Sequence, residues 1–348
     1  MIARNYRITA PYQFEVQVDL IEAQDNEAIV RTEAGAICKA DLRYYTGQRE
    51  RKILGLKYPL CLLHEAAGTV VKDRTGKFKP GERVVPVPNV IDPESCANCS
   101  QKVCEDPALG ENYCPAAKFA SSSADGFSRE YFTYPVDYLV KIPHSVPTEL
   151  AVMAELISVA NAATRRLPLS GKEKVIVFGD GILGFILTSV LLFGGIEDIT
   201  IVGGSEKRLA NFPVPVKINY HTDPLPQPQF DLAFEAVGGG ASEAAFESIS
   251  QVLRPGGSCC LLGVAEEKIR INSRIILEKG LCFAGVTRSS RNDFVKAMNQ
   301  LTDEKFASLI KSSIIAEAAV GDVVDFKNEF EYALSHKGFG KRVLRFNF

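Results

Sequence analysis

The sequence predicts an α/β protein of two domains: a β-rich domain formed by residues 1–155 and 290–348, and a parallel-sheet nucleotide-binding domain inserted at 156–289. Three observations carry this. Near residue 151 the pattern changes from short strands and irregular loops to strands alternating with helices, the signature of a parallel sheet. The stretch GDGILG follows the apolar run VIVF and opens an apolar helix. From RNDFVKAMNQL onward the alternation stops, so the tail returns to the first domain. A length of 348 residues accommodates two domains.

The elements follow in order. FEVQVDLI and EAIVRTEAGAI alternate as strands do, and ERVVPVPNV is a β-rich run entered through the turn KPGE. DPESCANCSQKVCEDPALGENYC keeps no period and reads as a lobe that needs an internal staple. AVMAELISVANAATRRL has the pattern of an amphipathic helix. KVIVFGDGILGFILTSVLLFGGIEDITIVGG then reads strand, glycine turn, helix, strand. KINY, DLAFEAVGG, GGSCCLLGVA and LCFAGVTRSS continue as strands, with the helix ASEAAFESISQVL before GGSCCLLGVA.

Charge is nearly balanced: 40 Lys and Arg against 42 Asp and Glu give a net −2. That balance points to neither nucleic acid nor a membrane surface as a partner. MIARNYRITAPYQF lacks the apolar centre of a signal peptide, and no apolar run is long enough to span a bilayer. A soluble, cytoplasmic protein is expected. The nine cysteines are odd in number, and without an export signal they read as metal-binding, catalytic or buried rather than disulfide-bonded.

Gly179-Asp180-Gly181-Ile182-Leu183-Gly184 is a dinucleotide fingerprint in its proper setting. Gly179 makes the tight turn, Gly181 admits the pyrophosphate, and Gly184 lets helix and strand approach. The N–H groups at the helix start, at Ile182 and Leu183, face the anion. The next strand ends in Gly203-Gly204-Ser205, where an NAD site carries an acidic residue. Small residues followed by Lys207 and Arg208 suit a 2′-phosphate and predict NADP(H). Glu206 leaves NAD open, and a solvated helix start also explains the basic pair.

Zinc takes thiolate, imidazole and carboxylate ligands. Cys38 in GAICKAD, His64 in CLLHEAAG and Glu155 in AELIS could form such a set if the fold gathers them. Taken singly, Cys38 and His64 read as core residues. Cys96, Cys99, Cys104 and Cys114 lie within nineteen residues and suit a closed structural zinc site.

Together, GAICKAD (35–41), LHEAAG (63–68), KPGERVV (79–85), the cysteine lobe, AELISVANAA (154–163), VFGDGILG (177–184) and DLAFEAVGG (231–239) resemble the zinc-containing medium-chain alcohol and polyol dehydrogenase family over nearly the whole chain. The resemblance implies a GroES-like catalytic domain over 1–155, with a structural zinc lobe at 92–116. It implies a Rossmann NADP-binding domain over 156–289 and a return at 290–348. It makes Cys38 and His64 ligands of a catalytic zinc, with Glu155 completing the set, Glu65 an exchangeable or supporting ligand, and Asp41 orienting the site. Two residues depart from the family pattern. Ala40 stands where a hydroxyl begins the proton relay, which leaves water or another side chain, with Glu65, Tyr44 and Tyr45 as candidates. Leu63 stands where glycine is usual. The lobe cysteines are also more widely spaced than the family's.

Within the family, DLRYYTGQRERK, the leucine before His64-Glu65, the Gly-Gly-Ser-Glu strand end and GVTRSSRNDF most resemble the bacterial ribulose-5-phosphate reductases. That branch implies NADPH-dependent reduction of D-ribulose 5-phosphate to D-ribitol 5-phosphate. It also implies coupling to a ribitol-5-phosphate cytidylyltransferase that supplies wall or capsule polymers. A homodimer or homotetramer through LCFAGVT (281–287) is the family's habit. A phosphosugar needs an anion site. Arg43 and Arg49, beside Arg51 and Lys52, and Arg288 and Arg291, flanking Ser289-Ser290, are the candidates. The competing readings are a dehydrogenase of unphosphorylated polyols, a zinc-free quinone reductase relative, and a non-enzymatic cofactor-binding protein.

Overall fold

A computed structural model describes all residues except 93–95, 97, 98 and 101, which lie within the cysteine lobe expected at 92–116. The described chain divides into two compact units, Met1–Glu155 with Ser289–Lys337 and Lys341–Phe348, and Leu156–Arg288 with Gly338–Gly340.

The first unit is built on a seven-stranded sheet. Its order is Leu139–Lys141, Arg83–Pro86, Glu65–Asp73, Glu27–Ala36, Lys341–Phe346, Ile314–Val320, with Tyr131–Pro135 also paired to Glu27–Ala36. The run ERVVPVPNV is thus two strands, Arg83–Pro86 and Asn89–Ile91, because proline at 86 and 88 leaves no amide to continue one ladder. Two short helices, Lys39–Tyr45 and Arg51–Lys57, interrupt the β-rich half. Register places the site. Ala36 pairs with Glu65 across Glu27–Ala36 and Glu65–Asp73, and Gly35 pairs with Leu344 of the last strand. Residues near 36, 64 and 341 therefore meet at one end of the sheet. An aromatic cluster of Tyr6, Tyr45, Phe326 and Phe330, all buried, packs against Phe14. Tyr45, a candidate for the relay, is part of that core, and its hydroxyl donates to Glu331.

The second unit is a six-stranded parallel sheet ordered Val216–Asn219, Ile199–Gly203, Val175–Phe178, Phe230–Glu235, Leu253–Leu261, Cys282–Gly285. Numbered within the unit this is 3-2-1-4-5-6, the doubly wound dinucleotide-binding order. Its central strands are apolar along their length because both faces are covered.

Candidate active site

Cys38 follows the strand Glu27–Ala36 and caps the helix Lys39–Tyr45. Its amide donates to Oδ2 of Asp41 at 2.9 Å. His64 precedes the strand Glu65–Asp73, is buried, and places Nδ1 3.6 Å from Oδ1 of Asp41. The ring packs against Phe119 at 5.5 Å between centroids. Asp41 has no exposed surface and also accepts from the Leu63 amide at 3.1 Å and the Ser121 hydroxyl at 2.5 Å. Burial alone would raise its carboxyl, but His64, Ser121 and the Cys38 amide hold it below the usual carboxylate range. Burial likewise opposes charging His64, yet Asp41 and Cys38 raise its imidazole well above the ordinary value.

Leu63 explains itself here. Its φ is 72°, the left-handed region where glycine is the easy choice. The chain adopts it so that the Leu63 amide reaches Asp41 while its carbonyl accepts from Phe127 at 2.8 Å. The leucine side chain, fully buried in the aromatic cluster's core, offsets the backbone cost.

The thiol of Cys38, a nitrogen of His64 and a carboxylate oxygen of Glu65 all lie within 4.8 Å of one another, the one such trio of metal-ligating atoms among the described residues. Glu65 is wholly buried. Its Oε2 pairs with Lys341, while Oε1 has no hydrogen-bond partner. A buried carboxylate oxygen left unpaired is costly, and thiol, imidazole and carboxylate are the ligand types zinc prefers. The trio fits a zinc ion. Glu155, buried near the start of the helix Ala154–Arg165, joins electrostatically. Burial and Glu65 push its carboxyl up to about 7 against the pull of His64 and Lys341. Lys341 was not legible in the sequence. It is buried at the head of the last strand, and although burial disfavours its charge, Glu65, Cys38 and Glu155 raise its pKa.

The candidate anion residues fall in different places. Arg43 lies in the last turn of Lys39–Tyr45, and Arg291 opens the helix Arg291–Gln300, capped by Ser290. Arg288 is half-buried with φ 60°, and burial lowers its pKa. The guanidinium of Arg49 sits 4.8 Å over the Tyr44 ring, and its Nε is buried without a partner. Tyr44 meets the Ser122 hydroxyl at 3.2 Å, next to the Ser121 that bonds Asp41.

In the cysteine lobe, Cys96 is exposed, Cys99 and Cys104 are half-buried, and Cys114 is buried. Burial first, then the thiols of Cys96, Cys114 and Cys99, raise the Cys104 thiol. Antiparallel pairing of Asn89–Ile91 with Ala117–Phe119 closes the base of the lobe.

In the second unit, Gly179 has φ 128° after the strand Val175–Phe178, and Gly181 caps the helix Ile182–Phe193. A Cβ on Gly184 would lie 1.9 Å from the Gly179 carbonyl oxygen, whereas one on Gly181 would meet nothing within 4 Å. The turn is closed underneath and open above, a cradle that fits a pyrophosphate. Ile182 and Leu183 are half-buried at the helix start. Ser205 caps the short helix Glu206–Leu209, which carries Lys207 and Arg208.

Residues 24–144 match the family model described as alcohol dehydrogenase GroES-like domain. The chain is 34% identical to a ribulose-5-phosphate reductase of Streptococcus pneumoniae, over 95% of this chain and 94% of that one. It is 35% identical to one of Bacillus spizizenii over 99% of both. The crystal structure of S. aureus TarJ in complex with NADPH superposes with a TM-score of 0.85 at 30% identity, covering 100% of both chains.

Proposed function

The chain belongs to the zinc-type medium-chain alcohol dehydrogenase family, close to the bacterial ribulose-5-phosphate reductases, and from that premise we propose that it reduces D-ribulose 5-phosphate to D-ribitol 5-phosphate with NADPH. The observation that carries the chemistry is the buried Cys38, His64 and Glu65 trio with its unpartnered carboxylate oxygen. The near full-length similarity to ribulose-5-phosphate reductases supports the substrate.

A zinc ion bound by Cys38 and His64, with Glu65 or Glu155 as carboxylate ligand, would polarise the ketose carbonyl and stabilise the developing alkoxide. NADPH, seated on the Gly179–Gly184 turn, would supply the hydride. The chain's own residues do the rest. Asp41 fixes the His64 ring and the Cys38 backbone at once, so both ligands are held before substrate arrives. Lys341 pairs with Glu65 in a buried setting. Ala40 offers no hydroxyl, and the Tyr44 and Ser122 hydroxyls, which meet next to the Ser121 that bonds Asp41, are a pair that could pass a proton. Among the arginines, Arg49 is favoured for the substrate phosphate because its guanidinium is held on Tyr44 with Nε unmatched; Arg43, Arg288 and Arg291 are the alternatives. The lobe cysteines belong to the proposal as a structural zinc site. So does assembly through the edge strand Cys282–Gly285, as a dimer or tetramer that light scattering would size. The product is an alditol phosphate, the substrate class of a cytidylyltransferase.

NADPH oxidation across D-ribulose 5-phosphate, D-xylulose 5-phosphate and free ketoses tests the reading. Ribulose 5-phosphate should give the highest kcat/KM, and Arg49→Ala should raise its KM without changing that for free ribulose. Equal rates with free ketoses would favour an unphosphorylated polyol dehydrogenase instead.

A further inference from the structure

The strand Ile199–Gly203 ends in one glycine and is followed by another, Gly204, and the side-chain space of both is already taken. A Cβ on Gly203 would lie 2.4 Å from the Cβ of Asp180 and 2.7 Å from its Oδ2. A Cβ on Gly204 would lie 3.1 Å from Nε2 of His221. Asp180 is the residue between the first two fingerprint glycines, and it is buried. Its Oδ2 accepts the Ser205 amide at 2.9 Å, and Nη2 of Arg208 stands 2.9 Å from Oδ1 and 3.2 Å from Oδ2. His221 arrives from the other side. Asn219 pairs with Gly203 in the sheet, Tyr220 donates its amide to the Gly203 carbonyl at 2.9 Å, and the His221 amide donates to Oδ1 of Asn219 at 3.1 Å.

We propose that Asp180 and His221 build the part of the cofactor site that reads the adenosine 2′-phosphate, Asp180 by holding the Arg208 guanidinium and His221 by presenting its imidazole beside Gly204 and Ser205. The proposal rests on the NADPH reading above. In a doubly wound sheet the ribose of the adenosine half lies beyond the carboxyl end of the strand that follows the fingerprint helix, where an NAD site places its acidic residue. Here that end carries no carboxylate of its own. The carboxylate packed against Gly203, that of Asp180, is engaged by Ser205 and Arg208. An arginine gives up rotamer freedom when it grips an anion, and a side chain held beforehand gives up less. Asp180 is thus a positioning residue acting through Arg208, while His221 and Arg208 face the phosphate. The glycine pair is what makes room for both.

Titrating NADPH and NADH by nicotinamide fluorescence tests this on the full chain, with wild type, Asp180→Asn, Arg208→Ala, the double variant Asp180→Asn/Arg208→Ala, and His221→Ala. Wild type should bind NADPH more tightly. Arg208→Ala and His221→Ala should each raise the NADPH Kd about tenfold or more, the scale of losing a charged hydrogen bond, with NADH moving less than about twofold. Asp180→Asn should weaken NADPH alone and add nothing in the Arg208→Ala background. NADPH binding that stays unchanged or tightens in Asp180→Asn overturns the positioning role. Equal loss of NADH and NADPH in any variant marks that residue as merely structural and overturns its part. A wild type that prefers NADH overturns the NADPH reading and this inference with it. A wild type that prefers NADPH with unaffected variants overturns the inference alone.

Discussion

Two cysteine regions of the first unit are built by opposite strategies. Cys38 shares its site with Asp41, on the helix it caps, and with residues from far along the chain: His64, Glu65, Glu155 and Lys341, the last paired to Glu65 across 276 positions. Each sits on a different strand, turn or helix, and each but Cys38 is buried against a packed core. The lobe takes its four cysteines from nineteen consecutive residues, with Cys96 exposed and only a short hairpin at its base. The first site is organised by the fold before any ion binds. On the structural zinc reading proposed above, the second would need its ion to be organised, because so short a loop buries little apolar surface of its own. On that reading, the difference separates a site that does chemistry from one that holds a lobe together.

The largest test of that contrast is a pair of serine substitutions. Cys38→Ser should lower kcat at least about 10³-fold with little change in Tm. Cys104→Ser should lower Tm and zinc content while kcat per folded molecule stays near wild type. Loss of folding in Cys38→Ser, or loss of turnover alone in Cys104→Ser, would break the comparison.

Next is the buried ion pair. Lys341→Met removes the buried partner of Glu65, and should destabilise chelator-treated protein by about 3–5 kcal/mol in urea melts. Adding Glu65→Gln should recover most of that loss. Full destabilisation persisting in the double variant would mean that Lys341 acts through packing and not through charge.

A smaller effect is expected from Glu155. Its folded pKa of about 7 lies above the ordinary 4.5. Stability is therefore greatest below pH 4.5 as far as this group is concerned, and falls as pH rises through 7, because the unfolded carboxyl ionises first. In metal-free protein, Glu155→Gln should flatten the stability curve in that window, checked by urea midpoints at half-unit pH steps.

The smallest expected effect is the difference between two substitutions of Leu63. Leu63→Ala opens a core cavity and keeps the left-handed backbone, costing about 2–5 kcal/mol. Leu63→Gly opens the same space but relieves the backbone, so it should be equally stable or better by up to about 1 kcal/mol. Glycine falling well below alanine would show that the φ of 72° carries no strain.

The sequence by itself determined whatever is local in the chain. The glycine turn from Gly179 to Gly184, the alternating strands of the first unit and the strand–helix alternation of the second are patterns a few residues long, set by backbone sterics and burial period. The family motifs around Cys38 and His64 were legible because each is a short run. Tertiary structure alone decided which distant residues meet. The alanine-to-glutamate register at Ala36 and Glu65 brought Glu65 within reach of Cys38. The return of the last strand delivered Lys341, whose own neighbourhood, GFGKRVLRF, carries no mark of an active site. The same holds for Asp180 and His221, which fill the spaces of two glycines from different parts of the sheet. Ion pairs and side-chain vacancies have no period along the chain. They exist only once folding has set the distances between elements.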